Sequence, residues 1–492
     1  MDTEQSIQPV KNGFNYKKLV LLPLGILAFL VIYFLPDFSD AIDPSGEHFV
    51  LTKEGKGALA VFVLAGIWWV FEVVPIGVTS LAIGALQVLF FVRTPEKAFG
   101  DFMNPAVIFI FASMVIGAVF TKTGLTRRLA YKMLIIVGER TSMIYLGCFV
   151  VIAALTHIMA HTAVAATVYP FLLSIYALYG EEEKPTRFGK GLFIGMAYVA
   201  GAGSIITLLG AARGAVAIGF FKDIVDKNVS FFELSYYMFP VGWIMVFILW
   251  GLIMLFFKPE KKVIPGLRER AKSLNAQLGP ISGREILAAI IVFGCIAIMS
   301  LRSFIPALEP FDKNAIILTS TILFFITGIL NLDDLETIPW NIILLFAGAM
   351  SIGLCLVQTG ASKWLAVKWL VMFQNAHWFV FVLSIAFFVL LMTNFIMNVA
   401  AIAIVLPVAL AIAPYLNVAP EVILFAALVV AGMPFLLLVG AAPNAIAYDS
   451  KQFTTGEFFL YGIPASIILM IVLAITIWIV WPLMGMPVQT AM

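Results

Sequence analysis

Charge is scarce in this chain. Asp, Glu, Lys and Arg make up 12% of its 492 residues, where a soluble domain carries about 25%. That shortage excludes a string of soluble domains, although the length alone would allow several. The formal net charge is +2. The basic residues sit between apolar runs, not in a block, which excludes a nucleic-acid-binding face. Cysteine is nearly missing: Cys148, Cys295 and Cys355 lie far apart in apolar stretches. No disulfide or metal-binding spacing results. No loop carries a Walker A pattern, which excludes an ATP-driven pump. No Ser, His and Asp set marks a hydrolase. The chain is therefore read as no enzyme, without cofactor or metal.

What is present is hydrophobicity, at 62% of residues. A spanning helix needs about 20 apolar residues, and about eleven stretches qualify. They are 19–36, 58–73, 76–92, 104–122, 190–221, 237–257, 285–303, 314–331, 340–357, 420–448 and 457–483. Two longer stretches, 141–179 and 378–415, each carry a polar interruption near the centre. Each reads as two arms meeting at a polar tip, either two spans or a re-entrant hairpin. Residues 1–18 are polar, with Lys11, Lys17 and Lys18, and no small-residue cleavage site follows. The first apolar run is read as a retained helix. Lys122, Arg127, Arg128, Lys184, Lys190 and the basic loop 258–284 then fall on the cytoplasmic side, and Asp37, Asp40, Asp43 and Glu47 outside.

The halves repeat. Met114-Val115-Ile116-Gly117, Lys122-Thr123-Gly124 and Leu129-Ala130 match Met350-Ser351-Ile352-Gly353, Gln358-Thr359-Gly360 and Leu365-Ala366 at one offset. The interrupted stretches and their prolines, Pro170 and Pro407, follow at nearly the same offset. Five spans per half, an odd number, would make the second copy inverted. The expected fold is an all-α polytopic membrane protein of two inverted repeats, about eleven spans plus two re-entrant hairpins. The expected divisions are 1–57 with the first helix, 58–257 as first repeat, 258–284 as cytoplasmic loop and 285–492 as second repeat. Short amphipathic runs at 125–137 and 361–373, the latter with Lys363, Trp364, Lys368 and Trp369, suit the membrane interface.

Polar groups at membrane depth are costly unless they line a protected cavity. The first tip holds Thr156, His157, Ala160, His161 and Thr162; the second holds Thr393, Asn394, Ile396, Met397, Asn398 and Val399. Each is followed by a break: Gly210-Ala211-Ala212-Arg213-Gly214, then Gly440-Ala441-Ala442-Pro443-Asn444. Helix N-termini at such tips favour anions. Glycines there allow unwound backbone or merely close helix packing. His157 and His161 share a helix face, but no carboxylate follows to make a metal motif. Arg213 is the one cation in the membrane interior. It could pair with a carboxylate ligand or with a buried acid; the nearest in sequence, Glu72, cannot be placed against it.

The chain resembles the divalent anion:sodium symporter family over nearly its whole length. Trp68-Trp69-Val70-Phe71-Glu72-Val73-Val74-Pro75-Ile76-Gly77-Val78-Thr79 is similar to that family's early signature, and Ile338-Pro339-Trp340 with Leu344-Leu345-Phe346 to its mid-chain one. The tips stand where the family has two Ser-Asn-Thr motifs, and Gly440–Asn444 where it has Gly-Thr-Pro-Pro-Asn. The resemblance implies a homodimer whose transport domain moves as an elevator against a scaffold; the expected setting is a bacterial plasma membrane, with the N-terminus placed in the cytoplasm by the charge bias. It implies a dicarboxylate site at Ala160, His161, Thr162, Gly210, Ala211, Arg213, Met397, Asn398, Val399, Gly440, Ala441, Pro443 and Asn444.

This chain departs from the family at the sodium-ligating serine positions, which here are Ala160 and Met397; Thr156 and Thr393 remain. Sodium wants oxygen ligands, as other hard cations do. His161 and Arg213 would then offset the charge of the substrate, and a carrier with built-in positive charge cannot easily return empty. The expectation is sodium-independent exchange of C4 or C5, at most C6, dicarboxylates such as succinate, malate or 2-oxoglutarate. Alternatives are a sodium-coupled symporter of the same fold and an inorganic-anion channel or pump subunit.

Overall fold

The computed structural model describes residues 16–42, 47–71, 73–179, 185–373, 377–395 and 397–490. Lys11, Asp43, Glu72, Lys184 and Ile396 lie outside them. Helices α1 (Tyr16–Phe34), α2 (Lys53–Val70), α3 (Ile76–Leu89), α4 (Pro95–Gly100), α5 (Pro105–Thr123) and α6 (Leu125–Val137) open the chain. A two-residue antiparallel ladder, β1 (Ala41–Ile42) with β2 (His48–Phe49), joins α1 to α2. Next come α7 (Thr141–Leu155), α8 (His161–Tyr179), α9 (Arg187–Gly203), α10 (Ala212–Val225) and α11 (Phe231–Phe256). After α12 (Leu267–Gln277) the order recurs: α13 (Gly283–Leu301), α14 (Lys313–Ile326), α15 (Leu332–Glu336), α16 (Trp340–Gln358) and α17 (Ala361–Phe373). Then follow α18 (Trp378–Phe395), α19 (Asn398–Ile412), α20 (Pro420–Ala431), α21 (Ala442–Tyr448) and α22 (Thr455–Ile475).

Among the described residues, eight helical stretches are long and apolar enough to cross a membrane, and five shorter helices are apolar as well. The short interfacial runs form helices at the expected bounds, α6 and α17. The stretches 190–221 and 420–448, expected as broken helices, are each divided, between α9 and α10 and between α20 and α21. A polar loop helix, α12, and the small ladder were not expected.

Packing is reciprocal between the halves. α3 lies on α16 while α5 lies on α14; α8 lies on α21 while α10 lies on α19. α3 and α16 run parallel: Asn341 Oδ1 accepts from Gly77 N–H at 2.9 Å, and Gln87 Nε2 donates to Ser351 Oγ at 2.9 Å. The stretch from α7 to α8 doubles back. Thr141 Oγ1 donates to Lys261 O at 2.9 Å, and the Tyr179 hydroxyl, at the far end, accepts from Lys261 N–H at 2.8 Å. Both ends thus touch one loop, while the tip between them is buried in the interior.

Candidate functional site

The first tip begins where α7 runs out. Thr156 caps it and is fully buried, its Oγ1 donating to Ala153 O at 2.6 Å. The chain turns and restarts as α8 at His161. The His161 N–H donates to Gly210 O at 2.9 Å, and its Nδ1 lies 3.2 Å from the same oxygen. A carbonyl only accepts, so the imidazole presents Nδ1–H there. Thr207 Oγ1 donates to His157 O at 2.8 Å. Tip and break are therefore stitched together by three hydrogen bonds.

Gly210 is required by this closeness. A Cβ added there would lie 2.6 Å from both Thr156 O and Ser204 O. The second half repeats the device: a Cβ on Gly440 would lie 2.8 Å from Thr393 O. Ala211 and Ala441, the residues that follow, are both extended and open the next helix, at φ −164° and −153°. Two copies of one glycine contact, each between a break and the Thr of its own tip, are a repeat at the level of atoms.

The two tips differ in how they are held. Thr393 Oγ1 donates to Ala431 O at 3.2 Å. Asn394 Oδ1 accepts from Leu436 N–H at 2.8 Å, and its Nδ2 donates to Leu390 O at 2.7 Å. Asn444 Nδ2 donates to Pro434 O at 2.9 Å and Leu437 O at 3.1 Å, with Pro443 in the first turn of α21. Met397 caps α19, and Asn398 and Val399, both buried, begin it. Asn398 makes no side-chain hydrogen bond among the described residues.

Arg213 sits between the halves. It is 1% exposed, and its Nη2 donates to Ser204 Oγ at 2.8 Å. Its Nη1 is buried without a hydrogen-bond partner among the described residues. A Cβ on Gly432, from the second half, would lie 2.6 Å from Nη2. Both breaks therefore meet at this guanidinium. Its fork, open in sequence to a carboxylate ligand or a buried acid, is turned toward Ser204 and Gly432, behind the Gly210–Ala211 turn. His157 is also turned inward, its ring 5.6 Å from that of Trp243 and edge-on.

In front of the first tip lies a cavity of about 410 Å³. Ala160 and Thr162 line it from the tip; Thr121 and Lys122 from α5; Thr167 from α8; Asp334 from α15. Lys122 Nζ donates to Asp334 Oδ2 at 2.5 Å, and Thr121 and Thr167 hydroxyls pair at 3.1 Å. Arg213 and His161 are not among the lining residues, so the cavity receives tip residues on either side of His161 but not its ring. Ser204, Thr207 and Asp334 were not singled out from sequence; Asn394 was named only within the second tip, and Lys122 only in the repeat and the charge pattern. Ser204 alone of the missed residues gave a signal, as a polar residue inside an apolar run.

Polar tips buried against helix breaks, with a cavity beside them, belong to a multi-pass membrane transporter and not to an enzyme. Comparison with known proteins agrees. Residues 16–487 match the family described as the sodium:sulfate symporter transmembrane region. A protein of Staphylococcus saprophyticus named sodium-dependent dicarboxylate transporter SdcS is 23% identical over 500 residues, covering 97% of this chain and 94% of that one. A protein of Haemophilus influenzae named only as an uncharacterized transporter is 24% identical, covering 87% and 92%. The structure of Neisseria gonorrhoeae MtrF, at 14% identity, TM-score 0.57 and coverage of 97% and 96%, shares the fold alone. The chain belongs to the sodium:sulfate symporter family, the divalent anion:sodium symporters.

Proposed function

We propose that the chain is a dicarboxylate exchanger, trading C4 or C5 diacids such as succinate, malate or 2-oxoglutarate across the membrane without sodium. The relatives named for dicarboxylate transport support the substrate class. The observation that carries the coupling is the first tip. In a sodium-coupled site, the carbonyls around the tip would face a cation. Here Gly210 O accepts from His161 twice over, and the permanently charged Arg213 lies directly behind the turn. A positive charge built into the protein offsets a bound dianion. Moved empty through hydrocarbon, it is costly, so return requires a second anion.

The elevator and inverted repeats are part of the same reading, with repeats at 58–257 and 285–492. α16 runs parallel to α3, whereas the far end of α5, the counterpart of α16, sets Thr121 beside Pro339 and Ile342 at the start of α16, which supports opposed counterparts. The first tip bonds to a break midway along α9–α10, which favours a re-entrant hairpin over two full spans. The scaffold would comprise α5, α14 and α16, with the hairpins and breaks as moving part, in a homodimer with its N-terminus cytoplasmic.

A sodium-coupled symporter is the second reading, favoured by the names of the relatives and by Asn398, free at the second tip. Sulfate belongs in any substrate panel because the family description names it. The test is reconstitution into liposomes without sodium. Labelled succinate should enter vesicles preloaded with a dicarboxylate and not empty ones. Uptake into empty vesicles that requires an inward sodium gradient would select the symporter.

A further inference from the structure

A second cavity, of about 90 Å³, lies at the other end of α5. The first turn of α5 lines it, as do Lys222 and Asp223 of α10, Arg302, and Asp312 and Lys313 at the start of α14. At about 15 Å³ for each water, it has room for about six waters or a small carboxylate in their place. Because α5 is 19 residues long, about 28 Å separates its two ends. The 410 Å³ cavity meets Thr121 and Lys122 at one end, and the smaller one meets Asn104 and Phe109 at the other.

Its three cations are bonded to backbone carbonyls at most. Lys313 Nζ donates to Val229 O at 3.2 Å; Arg302 donates to Glu309 O at 2.8 Å and Leu308 O at 3.4 Å. Neither they nor Lys222 form an ion pair among the described residues, whereas Lys227, at the same end, pairs with Glu421 at 2.7 Å. Of the two acids, Asp312 already accepts from Asn314 N–H and Ala315 N–H as a helix cap. The lining charge is thus net positive, and the first turns of α5 and α14 add their positive ends.

The inner wall includes Leu208, from the first break. That same break holds His161 and, through it, the tip whose Ala160 and Thr162 face the larger cavity. Tip and break, bonded to each other, therefore touch both cavities, Leu208 the smaller and Ala160 and Thr162 the larger. We propose that the small cavity is a capture site for the transported dianion at the external face, seated on Lys222, Arg302 and Lys313, before the tip and break admit it. This rests on the reading of the chain as a dicarboxylate carrier. A basic funnel raises the local concentration of an anion and does so less in high salt.

The experiment uses dicarboxylate-loaded right-side-out and inside-out membrane vesicles, with labelled succinate as probe. Lys313→Gln and Arg302→Gln should each raise the external KM about fivefold or more. The KM at the cytoplasmic face should stay within about twofold, which also reports that the variants are folded. Lys313→Arg should keep the external KM near that of the wild type. An unchanged external KM, or an equal rise at both faces, overturns the capture site while leaving the carrier reading standing. Wild-type vesicles that transport no dicarboxylate overturn the carrier reading, and the capture site with it.

Discussion

At the scale of single residues, the site depends on absent side chains as much as present ones. Gly210→Ala would drive a methyl to 2.6 Å from two carbonyl oxygens, and Gly440→Ala to 2.7 Å from Pro434 Cβ and 2.8 Å from Thr393 O. Overpacking of this kind costs about 1–3 kcal/mol. Both variants should melt lower in detergent; an unchanged melting temperature would contradict the close approach. Ser204→Ala removes the one side-chain hydrogen bond that Arg213 makes to a described residue. Losing a hydrogen bond to a buried charge costs about 1.5–3 kcal/mol. Exchange should fall along with the melting temperature, because the guanidinium would no longer be fixed behind the turn. Exchange at the wild-type rate would show that Arg213 has no part in transport.

At the scale of elements, what could be read from sequence followed local chemistry. α6 carries its own amphipathic pattern, and α6 and α17 both fall where expected. The tips and breaks were visible because Thr, Asn, Gly and Pro interrupt apolar runs. α12 was not visible: it is short and polar, and docks on α6, where Arg128 Nη1 donates to Gly279 O at 2.9 Å just beyond it. Such a helix is set by tertiary contact more than by propensity. The loop after α11 is likewise tied by Glu260, which accepts from Arg187 N–H at 2.5 Å and the Tyr179 hydroxyl at 2.8 Å. Burial pushes its carboxyl up from the ordinary 4.5, but hydrogen bonds from Arg187, Tyr179 and Phe188 outweigh that and bring it lower. A lowered carboxyl stabilises the fold above its unfolded value, and that contribution is lost as pH falls through the folded value. Melting temperature should therefore drop as pH falls below about 4.5, and Glu260→Gln should melt lower at neutral pH with a shallower acid slope. An identical acid slope in the variant would contradict this role.

At the scale of the whole molecule, the crosswise packing of α3 on α16 and of α10 on α19 was not legible. Contacts such as Lys122 with Asp334 join residues in different halves, and no local pattern signals them. The same holds for the position of Arg213, whose presence was plain but whose direction depended on Ser204 and Gly432. Sidedness can be tested at Ala166, which is exposed and lines the larger cavity. All three native cysteines are buried, so background labelling is low. Ala166→Cys should react with an impermeant thiol reagent from the cytoplasmic side and not from outside; labelling only from outside would reverse the orientation. The coupling itself is tested most directly by counterflow. With sodium replaced by choline on both sides, labelled 2-oxoglutarate should accumulate in liposomes holding unlabelled dicarboxylate and stay out of empty ones. Accumulation in empty liposomes, driven by a sodium gradient and abolished by choline, would contradict a carrier whose positive charge is its own.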